Sequence, residues 1–337
     1  MITGPRVSIG LPVFNGERYL SQAIESVLTQ DFEHFELLIA DNASTDSTWE
    51  ICQSYAHTDR RIQLHRNPVN IGMTENFNFV VRETTAPYFM WMAHDDVLDP
   101  RYVGSCYDFL HSHSDYVLCY TANNTIDQAG KPFPYFQDAA CEVDSDDLVE
   151  RFAQCMAKLY PSVATYGLIR RDALVKTREF IASLPPHGQD YVRLLELSLL
   201  GKFHFIPETL RSYRIRSAAS VRSNNFYDTV ARHALAHSGH VNVPKVPSIR
   251  CAIRMLSIAL LAKCNRSESL KLASIVIRSK LFLSLWYRDI IMLEKLATYR
   301  FPVLYEGLGR INRMFLTWAI KRYKIPMRVD PSVFDEM

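Results

Sequence analysis

Residues 7–48 read VSIGLPVFNGERYLSQAIESVLTQDFEHFELLIADNASTDST, a stretch in which short apolar runs alternate with helical patterns. The apolar run at 7–11 predicts a strand that ends at Pro12, because proline cannot donate to a strand ladder. Apolar residues recur at helical spacing over 17–30, which predicts an amphipathic helix. A second apolar run at 35–40 predicts the next strand. This part of the chain therefore has the order strand, turn, helix, strand.

The same order continues along the next fifty residues. The segment DNASTDST offers Ser44 and Asp46 as alternative caps for a helix that reaches about residue 57. Further elements are predicted as a strand at 62–65, a helix at 74–83 and a strand at 88–92. Strands that alternate with helices are typical of a mostly parallel sheet with helices on both faces. We therefore predict a Rossmann-like α/β fold.

Beyond Pro100 the pattern is less regular. We predict helices at 102–111, 146–159 and 191–200, strands at 116–120 and 163–171, and a loop at 123–137. The segment VNVPKVPS at 241–248 is bounded by prolines and precedes a region of helical patterns. We therefore predict one α/β domain at 1–240, made of the parts 1–105 and 106–240, and a basic, amphipathic helical region at 241–337.

Charge is divided unevenly between these two regions. The chain of 337 residues has 38 Lys and Arg against 36 Asp and Glu, and the region 241–337 holds 17 of the bases and 7 of the acids. A basic helical region attached to an acidic domain indicates an anionic partner, such as membrane headgroups. A solvated basic face is the alternative.

Cysteine usage and hydropathy limit the class of protein. The seven cysteines are scattered and never form a CxxC pair, which argues against a disulfide framework and against a zinc site. The first residues lack the pattern of a signal peptide, and no run of about 18 apolar residues occurs. We expect a cytoplasmic protein, with peripheral contact at the inner face of the membrane left open.

Polar residues follow three of the predicted strands. Asp95 and Asp96, in AHDDVLDP, come directly after the strand at 88–92. Paired carboxylates at a strand end are suited to Mg²⁺ or Mn²⁺, whose other ligands are phosphates and water. An Asx turn, or a cap for the next helix, is the alternative. The loops DNAS and PVFN follow the two earlier strands, and Phe14 is an aromatic ring suited to stack on a nucleobase.

These motifs together resemble a known family. The stretch at 7–48, then NPVNIG, then YFMWMAHDDVLDP are similar to the donor-binding half of family 2 glycosyltransferases, which have the GT-A fold. The resemblance is dense over 5–105, thinner to about residue 225 and absent beyond. It implies an inverting, metal-dependent hexosyltransferase that moves a sugar from a nucleoside diphosphate to a glycan or lipid-linked acceptor. Relatives often serve bacterial surface polysaccharide synthesis.

The resemblance also implies roles for individual positions. Asp95 and Asp96 correspond to the acidic pair that binds Mn²⁺ or Mg²⁺ and the donor diphosphate, and Asp190, in PPHGQDYVRLLEL, corresponds to the catalytic base. Taken alone, Asp190 is better suited to be a helix N-cap than a catalytic base. The positions implied for the nucleotide sugar are Pro12, Phe14, Asn15, Glu17, Asp41, Asn42, Ser44, Asn70, Gly72, Asp95, Arg214 and Arg216.

The sequence departs from the family pattern at four places. The family usually has acids where this chain has Asn42 and Gln189, and often an acid where it has Ala93. Arg216 stands where relatives carry a histidine that sometimes meets the metal or the diphosphate. An arginine cannot bind a metal, but its planar fork fits phosphate oxygens. Fewer acidic ligands imply weaker metal binding, and the amide of Asn42 leaves the choice of nucleobase open.

The basic region has three stretches of mixed apolar and basic residues, at 251–264, 269–291 and 309–325. Such helices fit an anionic membrane surface, and we predict this contact for 250–325. A helical layer packed on the first domain and a helix-mediated homodimer are the alternatives. No nucleic-acid recognition motif accompanies the charge, so nucleic acid is not an expected partner.

Other enzyme classes fit less well. A dinucleotide-dependent oxidoreductase needs a glycine-rich first turn, and GLPVFNGE lacks the GxGxxG pattern. A glycoside hydrolase needs two carboxylates facing each other across a sugar, which the adjacent pair Asp95 and Asp96 does not supply. A glycosyltransferase-like subunit that has lost activity and serves binding or assembly remains the alternative.

Overall fold

The computed structural model describes residues 4–132, 142–158, 163–180, 186–215, 247–260, 262 and 264–278. Within these residues, eight strands form one sheet: β1 Val7–Val13, β2 Phe35–Asp41, β3 Ile62–Arg66, β4 Tyr88–Trp91, β5 Val97–Leu98, β6 Tyr116–Ile126, β7 Leu168–Arg170 and β8 Lys202–Arg214. Their order across the sheet is β3-β2-β1-β4-β7-β6-β8-β5.

The described helices are α1 Leu20–Leu28, α2 Thr48–Thr58, α3 Met73–Arg82, α4 Tyr102–Ser112, α5 Leu148–Lys158, α6 Arg171–Leu174, α7 Pro186–Ser198, α8 Pro247–Leu260 and α9 Arg266–Arg278. A short 3₁₀ turn spans Val163–Tyr166. The predicted alternation of strands and helices over the first hundred residues is confirmed, with bounds that differ by a few residues at helix ends.

The first four strands in the chain run parallel, which places their carboxyl ends at one edge of the sheet. Strand β7 lies antiparallel between β4 and β6, β8 runs parallel to β6, and β5 is antiparallel to β8. The predicted α/β fold is therefore confirmed. Antiparallel pairing enters only on the side of the sheet beyond β4.

Both faces of the sheet are buried, because successive strand residues point to opposite faces. In β2, Leu37 and Ile39 pack in one apolar core while Leu38 and Ala40 pack in the other. Helices α1, α2 and α4 cover the first core, and α3, α5, α7, α8 and α9 cover the second.

Three sequence predictions about strands were wrong. The first strand does not end at Pro12 but reaches Val13. Met92 donates its backbone N–H to the carbonyl of Gly10, so the even-numbered residues of β1 direct their backbone groups toward β4. Pairing with β4 ends at Gly10, and the missing N–H of Pro12 therefore costs no ladder bond.

The other two corrections concern the second half of the sheet. Strand β6 extends to Ile126, into the segment predicted as a loop, because it pairs along β8. The strand predicted at 163–171 is the 3₁₀ turn, β7 and the first residue of α6. Strand β8 was not predicted. Its buried residues include Arg211 and Arg214, and these charged residues interrupt the apolar alternation that indicates a strand.

The described helices of the basic region pack on the α/β domain. Met255 and Ile258 of α8, and Leu272 and Val276 of α9, are buried in the same apolar core as α5 and α7. This arrangement agrees with the helical-layer alternative for the first part of the basic region. The predicted boundary near residue 240 and the predicted helix at 309–325 lie outside the described residues. Among the residues described, no helix is long and apolar enough to cross a membrane.

Candidate functional site

The loops that follow β1 and β2 are fastened to each other. Asn15 and Ala43 have φ values of 50° and 59°, so each loop turns sharply through the left-handed region. The backbone N–H of Asn15 donates to Oγ of Ser44 over 2.9 Å, and Thr45 returns a backbone N–H to Oδ1 of Asn15 over 2.9 Å. The two loops therefore form one wall at the carboxyl edge of the parallel strands.

A second set of contacts joins this wall to the start of α2. Gly16 donates its N–H to Oγ1 of Thr48 over 2.8 Å, and Glu17 donates its N–H to Asp46 over 3.2 Å. One carboxylate oxygen of Glu17 accepts the N–H of Ser47 over 3.0 Å, at the positive end of the helix. The structure thus uses Glu17, one of the predicted donor contacts, to hold the wall together.

An amide network fixes the orientation of Asn42. The backbone N–H of Ile71 donates to Oδ1 of Asn42 over 3.0 Å, so this atom must be the oxygen of the amide. Asn67 donates to the same oxygen, and Nδ2 of Asn42 donates to Oδ1 of Asn70 over 2.8 Å. Oδ1 of Asn70 also accepts the N–H of Gly72, which has a φ of 87°. An acid at position 42 has no hydrogen to give Asn70, so this network requires an amide at that position.

Asp41 lies beneath this wall with no exposed surface. Its Oδ1 accepts the backbone N–H of Ser44 over 3.1 Å, which closes the turn after β2. Its Oδ2 has an ion-pair contact of 3.1 Å with Nε of Arg66, without hydrogen-bond geometry, and accepts no hydrogen bond from the described residues. Pro12 is buried in β1 beside Ala40, and Phe14 is half-buried at the end of the same strand.

The turn after β4 carries Asp95 and Asp96, and the two carboxylates have different surroundings. Asp96 is 1 % exposed; its Oδ2 accepts a hydrogen bond from Nη2 of Arg211 and its Oδ1 accepts the backbone N–H of Arg214 over 3.0 Å. Burial raises the pKa of Asp96, and the charge of Arg211 opposes that rise. Asp95 is the neighbouring carboxylate, 7 % exposed. A Cβ on Gly16 would lie 2.9 Å from the ring of His94, so this turn contacts the first loop.

Arg214 supports the turn from inside. It is 2 % exposed, and its Nε donates to the carbonyl of Asp95 over 2.8 Å. Nη1 donates to the carbonyl of Asp127 over 3.0 Å, and Nη2 donates to Gln22 over 2.5 Å. All three nitrogens donate within the protein, so Arg214 supports the turn, and its predicted contact with the diphosphate stays a prediction. Arg216 lies outside the described residues.

Asp190 is half-buried in the first turns of α7, inside the helix, so the alternative role as N-cap is wrong. Its neighbour Gln189 donates to Oγ1 of Thr74 over 3.4 Å, just after the loop of Gly72. The phenol pKa of Tyr166 is raised first by burial and then by the charges of Asp190 and Asp96. The start of α7 therefore contacts the start of α3, and Asp190 acts electrostatically on the same tyrosine as Asp96.

Two residues of this site were not predicted from the sequence. Arg211 pairs with Asp96, and its guanidinium carbon is 4.2 Å from the centre of the Tyr166 ring. Tyr166 in turn accepts a hydrogen bond at its carbonyl from the hydroxyl of Tyr102 over 3.1 Å. Three arginines in LRSYRIR, downstream of an acidic pair, were the available signal for Arg211.

Among the described residues, no three His, Cys, Asp or Glu side chains gather as a complete metal cage. The predicted ligand set is reduced by Ala93 and by the pairing of Asp96 with Arg211. One carboxylate, together with donor phosphates and water, is still a set that Mg²⁺ accepts. The residues therefore fit a metal that arrives with the nucleotide.

Comparison with known proteins gives relatives of one kind. A putative glycosyltransferase of Bacillus subtilis, EpsE, is 34% identical over 131 residues, which cover 39% of this chain and 47% of that protein. The match therefore spans about half the length of that relative. An uncharacterized glycosyltransferase of Rickettsia prowazekii is 25% identical over 229 residues, covering 66% of this chain and 68% of the relative.

Solved structures share the fold. S. aureus TarS 1–349 in complex with UDP-GlcNAc matches with a TM-score of 0.60 at 16% identity, covering 87% of this chain and 81% of that chain. The same protein in another crystal structure gives a TM-score of 0.57 at 14% identity, covering 86% of this chain and 80% of that one. The fold is therefore that of GT-A glycosyltransferases. The sequence profile described as Glycosyl transferase family 2 matches residues 8–177, and the chain belongs to this family.

Proposed function

We propose that this protein transfers a sugar from a nucleoside diphosphate to a hydroxyl of a glycan or lipid-linked acceptor, with inversion at the anomeric carbon. One observation carries the proposal beyond family membership. Helix α7 carries Asp190 next to Gln189, which donates to Thr74 beyond the loop of Gly72, and the charges of Asp190 and Asp96 both act on Tyr166; these contacts support Asp190 as the base. Bacterial surface polysaccharide is the proposed context.

The wall formed by the first two loops is the proposed nucleoside site. The amide of Asn42 has two N–H groups and gives one to Asn70, so one remains for a carbonyl oxygen of a nucleobase. Phe14 lies at the end of β1 beside this wall and is the ring proposed to stack on the base. Because TarS was crystallised with UDP-GlcNAc, UDP-sugars are the first donors to test.

We propose that Asp95 is the carboxylate that holds Mg²⁺ or Mn²⁺ with the donor diphosphate. The ion supplies a Lewis acid for the leaving group when it is bound. Ligation by Asp96 remains a prediction, and it requires Arg211 to withdraw from a buried ion pair. Arg216 remains a proposed phosphate contact.

The chain's own residues then perform the transfer. Asp190 accepts the proton of the acceptor hydroxyl, whose oxygen forms a bond to the anomeric carbon as the bond from that carbon to the diphosphate breaks. General-base assistance of this kind contributes about 10² to 10⁴ in rate. Attack from the face opposite the diphosphate gives inversion. The buried turn of Asp95 is held rigid by Arg214, so its geometry is set before the donor arrives.

The proposed location of the protein in the cell is argued from α8, α9 and the basic residues that follow them. Met255 and Ile258 of α8, and Leu272 and Val276 of α9, are buried against the α/β domain, whereas Leu260 and Leu270 are exposed. The proposed contact with an anionic membrane, at the cytoplasmic face, therefore rests on the mixed basic and apolar residues from 279 to 325. A homodimer through the same residues is the alternative proposal.

A panel of UDP-, GDP- and dTDP-sugars, each with and without Mn²⁺, tests the donor site by thermal shift. A ligand that binds only the folded chain raises its apparent stability, and we expect one nucleotide class to do so. Asp95→Asn should lose the part of the shift that depends on Mn²⁺. If no nucleotide sugar stabilises the chain or turns over, the alternative of a binding or assembly subunit without transferase activity is favoured. A retained anomeric configuration in the product would exclude Asp190 as the base.

A further inference from the structure

Arg193 is a buried cation to which the proposed reaction assigns no role. It lies on α7, one helical turn after Asp190, and is 4 % exposed. Burial lowers its pKa to about 10, and nearby acids act against that decrease. A charged side chain that is buried this deeply needs interactions that compensate for its lost hydration.

The guanidinium of Arg193 is enclosed by aromatic rings. Its central carbon is 3.8 Å from the centre of the Phe180 ring and 4.9 Å from that of Trp91. Nη2 donates to the carbonyl of Arg178 over 3.0 Å, while Nε has no hydrogen-bond partner among the described residues. Contacts between a cation and aromatic faces are strongest where water is excluded, as it is here.

These rings are themselves fixed. Trp91 donates its indole N–H to the carbonyl of Phe77 over 3.1 Å. Phe180 exchanges two hydrogen bonds with the amide of Asn78, of 2.8 and 2.9 Å. Trp91 is the last residue of β4, four residues before Asp95. Arg193 therefore connects the helix of the proposed base to the strand that carries the proposed metal contact.

Three acids act on the charge of Arg193, and two of them have ion pairs with other arginines. Glu196, Asp190 and Glu179 all favour its charged form. Glu196 is paired with Arg254 over 3.4 Å and with Arg178 over 3.8 Å. Glu179 is paired with Arg82 over 3.1 Å.

The two outer acids thus have arginines of their own, and Asp190 is separated from Arg193 by one turn of the same helix. Side chains three residues apart on a helix lie on one face. Tyr166 is a further titratable group on which the charge of Asp190 acts, and its raised pKa keeps it neutral.

We propose that Arg193 is a positioning residue for Asp190: it fastens α7 to β4 by stacking and supplies the positive charge that keeps the Asp190 carboxylate ionised. The inference rests on the proposed function, in which Asp190 is the base. Stacking sets where the carboxylate lies, and the charge sets the pH range over which it accepts a proton.

The test uses Arg193→Met and Arg193→Lys in the full chain. The assay is the release of nucleoside diphosphate from the nucleotide sugar that stabilises the chain most, measured as a function of pH. Arg193→Met should move the acidic limb of the kcat profile upward by about one pH unit, since a lost opposite charge makes a carboxylate easier to protonate. Arg193→Lys keeps the charge and should leave the limb in place while kcat falls. The KM for the donor should stay unchanged in both.

Arg171→Met is the matched control. Like Arg193, Arg171 lies on an aromatic ring of β4, with its guanidinium carbon 5.7 Å from the centre of Phe89; it is half-buried and has no described contact with Asp190. It should leave the limb and kcat unchanged. An acidic limb that stays in place in Arg193→Met overturns the inference. If Arg193→Met does not fold, a wild-type kcat in Arg193→Lys overturns it, and a lowered kcat with an unmoved limb supports it.

Failure of this inference is distinguishable from failure of the proposed function. Asp190→Asn that loses activity, combined with an unmoved limb in Arg193→Met, rejects only the role of Arg193. Asp190→Asn with wild-type activity rejects the base itself, and with it the role of Arg193.

Discussion

At the scale of single residues, the site assigns different tasks to adjacent and chemically identical side chains. Asp95 and Asp96 are neighbours in one turn, yet both oxygens of Asp96 accept hydrogen bonds from Arg211 and Arg214. A carboxylate that is already paired with a buried cation has fewer lone pairs left for a metal ion. The neighbouring Asp95 is therefore the residue to which we assign contact with the donor.

Asp96→Asn should destabilise the fold. The substitution leaves the charge of Arg211 buried without its counterion, and breaking one partner of such a pair costs about 3 to 5 kcal/mol. Urea denaturation of Asp96→Asn should show this loss in the free energy of unfolding. Adding Arg211→Met should recover part of it, because the unpaired charge is then gone.

Asp59→Asn is the control for this experiment, since Asp59 pairs with Arg61 over 2.7 Å at a partly exposed position. Partly exposed pairs contribute about 0 to 1 kcal/mol. An Asp96→Asn variant as stable as Asp59→Asn would contradict the assignment of Asp96 as the counterion of Arg211.

Asn42→Asp should weaken nucleotide binding even though it restores the residue usual in the family. The new oxygen would face Oδ1 of Asn70, and turning Asn70 to donate would take its oxygen away from the N–H of Gly72. An unsatisfied buried group costs about 1 to 3 kcal/mol. Calorimetric titration with UDP should show a larger Kd, and an unchanged Kd would contradict the amide network.

The sequence predicts the positions of such residues better than their roles. Asp95, Asn42 and Asp190 were found because each belongs to a motif next to a predicted strand or helix. The tasks of Arg211 and Arg214 depend on partners more than a hundred residues away along the chain. No local pattern encodes contacts of that length.

At the scale of elements, the parallel half of the sheet was predictable and the remainder was not. Strands β1, β2 and β4 are buried on both faces, and their apolar runs are visible in the sequence. Strand β8 spans thirteen residues, several of which are exposed or charged. It pairs with β6, and its Arg211 and Arg214 both donate hydrogen bonds to Asp96. Charged residues at buried positions of β8 interrupt the alternation of apolar and polar residues by which a strand is recognised in a sequence.

The contact between α3 and β1 depends on Gly10. A Cβ at this position would lie 2.7 Å from Cγ2 of Val80 and 2.9 Å from the ring of Phe89. Gly10→Ala should therefore lower the free energy of unfolding by about 1 to 3 kcal/mol through overpacking. Gly4→Ala, with nothing within 4 Å, should stay within about 0.5 kcal/mol of wild type. Equal urea midpoints for the two variants would show that α3 does not pack closely on β1.

At the scale of the whole molecule, the first two helices of the basic region belong to the fold. Met255 and Ile258 of α8, and Leu272 and Val276 of α9, share one core with α5 and α7. Arg254 of α8 also pairs with Glu196 of α7, the helix that carries Asp190. Loss of these helices should therefore change the position of α7, and with it the position of Asp190, the proposed base.

A chain truncated after residue 246 should be markedly less stable than one truncated after residue 278. Each large apolar side chain buried in α8 and α9 contributes about 1.5 to 3 kcal/mol, so the loss should exceed about 5 kcal/mol. Urea midpoints compare the two, and equal midpoints would contradict the shared core. Vesicle flotation, which tests the proposed membrane contact, should compare the full chain with the chain ending at 278, because a chain that also lacks α8 and α9 would confound loss of binding with unfolding.

The most direct test of the account is the rate at which Asp190→Asn releases nucleoside diphosphate from the donor in the presence of Mn²⁺, compared with wild type. Asp190 is the proposed base, so the variant should lose about 10² to 10⁴ in kcat while it binds the nucleotide normally. Wild-type turnover in Asp190→Asn, or no turnover by the wild type with any nucleotide sugar, would contradict it.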